Sequence, residues 1–76
     1  MNTIEEICKY IKRHKNTPDL HSAVIHTKNK TIFLNYDYGC FDVSVTDSKS
    51  FTRTDFEKIS DILKFIGTNK FERYEI

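Results

Sequence analysis

Tryptophan and glutamine are absent from this sequence, alanine and proline occur once each, and glycine and cysteine twice each. Each shortage excludes something. Two cysteines, Cys8 and Cys40, make neither a disulfide framework nor a Cys-x-x-Cys metal knuckle, so the chain is expected to work reduced, in the cytoplasm. Two glycines leave no Gly-rich phosphate loop, and no Gly-x-Ser-x-Gly elbow is present. No run approaches the roughly 18 apolar residues of a membrane helix, so no membrane partner is expected. The charges throughout Met1 to Lys15 do not read as a signal peptide. Neither sign of charge dominates: 12 Lys and Arg face 11 Asp and Glu, a net charge of +1 that falls short of a nucleic-acid binder's basic footprint.

What is present suits one small folded domain. The 76 residues allow a single α+β unit, 1–76, and a chain this short buries only about 60% of its unfolded surface, too little to enclose a large cofactor. No cofactor is expected. Ten aromatics and nine isoleucines supply a core. Ile, Lys and Asn together make up 23 residues, the usage of an A+T-rich genome, which fits a phage- or mobile-element-type accessory protein.

The spacing predicts a first helix over Thr3 to Lys15. Thr3 and Glu6 form a capping box, and Ile4, Ile7, Cys8 and Ile11 make one apolar stripe. Asn16-Thr17-Pro18-Asp19 breaks it. Three strands follow, Ser22 to Lys28, Thr31 to Asp37 and Cys40 to Thr46, joined by two-residue turns at Asn29-Lys30 and Tyr38-Gly39. That register sets Ile25 opposite Leu34 and Leu34 opposite Val43. It puts Ala23, Ile32, Tyr36, Phe41 and Val45 on the same apolar face. A second helix is expected from Thr52 or Thr54 to Ile66, with Thr54 and Glu57 as a capping box, or Phe51 and Phe56 as a staple around Thr52. Gly67 caps its end. Residues 70–76 read as a short strand or a packed extension. The expected architecture is therefore α-β-β-β-α, with both helices on one face of a three-stranded antiparallel sheet.

The other sheet face then shows Val24, His26, Phe33, Asn35, Asp37, Cys40, Asp42 and Ser44, with Phe33 opposite His26 and Asp42 opposite Asn35. Between Thr31 and Ser48 there are three acids, Asp37, Asp42 and Asp47, and no base. The plain reading is a solvated polar face. The functional reading is a contact patch, because exposed apolar groups with a polar rim mark protein partners.

Catalytic readings find less support. His14, His21 and His26 are spread over a helix, a loop and a strand, which does not suit a metal site. A metal-free ribonuclease could use His21 or His26 as base with Lys28 or Arg13 on the phosphate, but no spacing fixes their geometry.

The α-β-β-β-α order is similar to that of double-stranded RNA-binding domains, as is the length. The likeness implies nucleic-acid binding, through Lys9, Lys12, Arg13, Lys15, Lys28 and Lys30 as a basic edge. Two features depart from that family. Its basic cluster at the second helix is here Thr52 to Lys58, with two acids and two bases, and its longer loop between the first strands is here two residues.

The reading preferred over that alternative is a non-enzymatic binding module that binds and inhibits another protein, such as part of a nucleic-acid-processing complex. Phe33, Asn35, Asp37, Tyr38, Asp42 and Asp47 are its candidate contact residues, the carboxylates standing where phosphates would lie in a cationic groove. Small phage proteins that block host nucleases have compact α/β folds of this general kind. A homodimer through the open face or an edge strand is a further expectation, since pairing buries more surface per small chain.

Overall fold

A computed structural model describes all residues, 1–76. The chain forms α1 (Ile4–Arg13), β1 (Ser22–His26), β2 (Thr31–Asp37), β3 (Cys40–Thr46), β4 (Phe51–Phe56), α2 (Ile59–Ile66) and β5 (Arg73–Glu75). The sheet is antiparallel, five-stranded and ordered β4-β3-β2-β1-β5. Its apolar face packs with both helices in one cluster of 13 buried residues. Every member is apolar, and no buried side-chain polar atom lacks a partner.

Helix α1 forms as its caps and stripe require, slightly shorter than the expected Thr3 to Lys15. Thr3 Oγ1 accepts from the Glu6 amide at 3.2 Å, and Ile4, Ile7, Cys8 and Ile11 are buried. Asn69, beyond α2, adds a cap from afar. Its backbone oxygen accepts from the Ile4 amide and its Oδ1 from the Glu5 amide, satisfying two orphan donors of the first turn. At the other end His14 stacks on Tyr10, ring centroids 4.1 Å apart.

Alternation drives the first three strands. Ala23 and Ile25, Ile32, Leu34 and Tyr36, then Phe41 and Val43 are buried in turn. The β2–β3 register is as expected, with Leu34 facing Val43 and Asn35 facing Asp42. The β1–β2 register differs. Ile25 faces Ile32 rather than Leu34, and Phe33 faces Val24 rather than His26. The turn closes one residue earlier, around Lys28-Asn29, because the Thr27 hydroxyl captures the Lys30 amide at 3.1 Å and the Thr27 amide donates to the Lys30 carbonyl at 2.9 Å. Neither Lys28 nor Asn29 has a positive φ, so the left-handed tolerance of Asn is not used. A partner shift of two residues leaves every side chain on its expected face.

The three-stranded sheet and the long second helix are corrected. Residues 51–56 are a fourth strand, not the start of a helix, and 73–75 are a fifth beside β1. Asp47 drives the hairpin into β4, since its Oδ1 accepts from the Lys49 and Ser50 amides, both at 2.8 Å. The expected Thr54–Glu57 capping box and Phe51–Phe56 staple do not form. Helix α2 starts at Ile59 with Lys58 as a cap that makes no side-chain bond. Its end is as expected: Gly67, at φ +85°, donates to the Leu63 carbonyl at 2.8 Å. The extra strand gives the order α-β-β-β-β-α-β and removes the topological likeness to double-stranded RNA-binding domains.

Proline at position 54 separates the two assignments. At the start of a helix it would be tolerated. In β4, Thr54 pairs with Val43, and the ring removes a ladder donor. Thr54→Pro is expected to cost roughly 1–3 kcal/mol in urea unfolding; unchanged stability would contradict the strand.

Candidate functional site

The helix-free face is a grid set by strand pairing. One row runs Glu75, Val24, Phe33, Ser44, Arg53 across the five strands. The row on one side runs Ser22, Asn35, Asp42, Asp55, and beyond it Asp37 faces Cys40. The row on the other side runs Arg73, His26, Thr31, Thr46, Phe51. The tail does not cover this face, because Tyr74 lies opposite the buried Ile25 and packs with Phe71 against the core. Phe33 remains 47% exposed and Phe51 64%. A shallow depression of about 470 Å³ lies over Val24, Phe33, Asn35, Asp42, Ser44 and Ile76.

The Tyr38-Gly39 turn closes one edge of the grid. Both residues have left-handed φ, +52° and +78°, the pattern of a type I′ hairpin. Gly39 suits that conformation; a tyrosine there is an outlier. Asp37 Oδ1 accepts from the Tyr38 amide at 3.0 Å and holds the turn. The Tyr38 side chain is 96% exposed. A second depression, about 370 Å³, lies among Asn35, Asp37, Tyr38, Arg53 and Asp55.

Five of the six candidate contact residues are thus brought together: Phe33, Asn35, Asp37, Tyr38 and Asp42. Asp47 is not among them. It sits at the far end of β3, and its carboxylate is taken up by the β3–β4 turn, whose amides from Lys49 and Ser50 hold it below the usual carboxylate range. Asp42 is not a free charge either. Arg53 Nε and Nη2 donate to its two oxygens at 2.9 and 2.6 Å, a bidentate pair. Hydrogen bonding from Arg53 lowers the Asp42 pKa, against an opposing effect of burial and with help from the Arg53 charge. Asp37 and Asp55 make no ion pair. Arg53, Asp55 and Phe51 belong to the face but were hidden in the sequence, because a helix start and its Phe51–Phe56 staple were expected there.

A depressed folded-state pKa stabilises the fold above the unfolded value of about 3.9, and that contribution is lost as pH falls through the folded value. Asp42→Asn removes the titrating group. Its urea midpoint is expected to fall less than the wild type's on acidification below about pH 4. An identical acid limb in both proteins would contradict this role for the pair.

The basic candidates do not form one patch. Lys9 pairs with Glu5 at 3.6 Å and lines a small depression with Arg13, and Lys12 lies 5.9 Å from the Tyr36 ring centre. Lys28 lies in the β1–β2 turn and Lys30 closes it, the Lys30 ammonium donating to the Ile66 carbonyl at 3.2 Å. Among the catalytic candidates, His21 Nδ1 lies 3.3 Å from the Thr17 carbonyl. His26 is on the grid beside Arg73 and lines a shallow depression with Lys28. No three His, Cys, Asp or Glu residues converge as metal ligands. Burial pushes the Cys8 thiol up to about 12, and Cys40 is half-buried on the open face. No helix is long and apolar enough to cross a membrane. Comparison with protein-family models, curated proteins and solved structures found no match.

Proposed function

We propose that this protein is a non-enzymatic binding module that docks on, and blocks, another protein through its helix-free sheet face and the Tyr38-Gly39 turn. The observation that carries this reading is Tyr38, a bulky side chain held at φ +52° with 96% of its surface in water. A left-handed tyrosine costs roughly 1–2 kcal/mol, and no packing of its own ring offsets that cost. A strained, exposed aromatic beside an uncovered Phe33 has the composition of a binding anchor. Asp37 and Asp55, unpaired on either side, call for lysines or arginines on the partner, around an apolar pocket that takes the two rings. The partner is therefore a protein with a basic, cleft-bearing surface, as nucleic-acid-processing proteins have.

Asparagine is the favoured residue at the first position of a type I′ turn. Tyr38→Asn should raise stability by about 1 kcal/mol, or several degrees in Tm for a domain this size. It should also weaken partner binding at least tenfold. Proteins retained by the wild type but released by Tyr38→Asn and by Phe33→Ser are the expected result of parallel affinity captures. Retention that neither substitution changes, or a Tyr38→Asn variant less stable than wild type, contradicts the reading.

A further inference from the structure

We propose that the outer edge of β4 pairs with β4 of a second copy of this chain, antiparallel about a two-fold axis through Thr54, joining two five-stranded sheets into one. Strand β4 is an edge strand of six residues, five of them exposed, and no proline, glycine or other element protects it. The other edge, β5, is three residues long. An edge of this length is a template for strand addition.

Its backbone polarity can be read from the neighbouring turn. The Asp47 amide donates to the Ser50 carbonyl, so 47 and 50 are a hydrogen-bonded pair. Antiparallel alternation then bonds Val45 to Thr52, Val43 to Thr54 and Phe41 to Phe56. Phe51, Arg53 and Asp55 are left with their amides and carbonyls directed away from β3. These outward groups must be the bonded pairs of any added strand.

Charge then selects the register. With a two-fold axis normal to the sheet, residues directly opposite share a face. Centring the axis on Thr54 sets Arg53 against the second copy's Asp55, and Asp55 against its Arg53, two reciprocal ion pairs between outward-bonding residues. Thr54 meets its own counterpart, and Thr52 meets the second copy's Phe56. Centring on Arg53 or on Asp55 would instead oppose two like charges. Arg53 keeps Asp42 as its neighbour within the chain, so it bridges two carboxylates. The dimer sets two Phe33- and Tyr38-bearing faces side by side and takes up Asp55, leaving Asp37 as the unpaired carboxylate of each face; its test does not depend on whether those faces bind a protein.

The test is sedimentation equilibrium of the whole chain at up to millimolar concentration, because strand pairing alone buries little area and is weak. The wild type should approach twice the 9.0 kDa of one chain. Arg53→Asp and Asp55→Arg should each sediment as a monomer, since each opposes like charges across the axis. An equimolar mixture of the two restores both ion pairs and should recover the dimer. Asp55→Pro removes an outward-facing amide together with the Asp55 carboxylate, leaves the bonds to β3 in place, and should give a monomer with the wild-type circular dichroism. A monomeric wild type, or a dimer that survives Asp55→Pro, overturns the proposal. If a charge variant fails to fold, the state of folded Asp55→Pro decides alone.

Discussion

Phe41→Ala will cost this fold a large share of its stability. Phe41 is fully buried, meets Tyr36 edge-to-face with ring centres 4.7 Å apart, and lies on β3 between Tyr36 and Phe56. Truncating a buried phenylalanine costs about 3–5 kcal/mol. A domain of this length has roughly 4–11 kcal/mol in total, and this core has only 13 members. Little can collapse into the gap, because Tyr36 is fixed by the strand ladder and by Lys12 above its ring. Thermal unfolding followed by circular dichroism should show a fall in Tm of well over ten degrees. A shift of only a few degrees would mean that Phe41 is not a core residue.

Leu34→Ala and Phe33→Ala, one position apart, should give opposite results. Leu34 is 2% exposed and lies between Ala23 and Val43 beneath the helices. Its truncation is expected to cost about 2–5 kcal/mol. Phe33 is larger but 47% exposed, and touches the solvent face beside Val24 and Ser44. Its loss removes cross-strand contacts worth less than about 1 kcal/mol. Urea midpoints of the two variants check the face assignment of the whole sheet. The reverse order of effects would place Phe33 in the core and abolish the docking surface.

Where burial alternates, the sequence was readable. Strands β2 and β3 carry one apolar side each, so the pattern gave their bounds, their register and the outward position of Phe33. The first turn was misplaced by one residue because a side-chain bond from Thr27, not the backbone tolerance of Asn29, closes it. Strand β4 was missed because an edge strand exposed on both faces has no period-two signal. Thr54 and Glu57 imitate a helix cap by spacing alone. The clues that pointed the other way were the Asp47-to-Ser50 turn chemistry and the β-branched Thr52 and Thr54. Losing β4 also hid the Arg53–Asp42 pair, so Asp42 read as a free charge. Asn69 could not be foreseen as a cap for α1, since 64 residues separate it from Glu5.

The most direct measurement is NMR chemical-shift mapping of the labelled chain, with a binding protein recovered by the paired captures. The proposed docking mode predicts perturbations centred on Val24, Phe33, Tyr38 and Asp55, with α1 and α2 little changed. Perturbations confined to the helices, with Phe33 and Tyr38 unmoved on saturation, would contradict it.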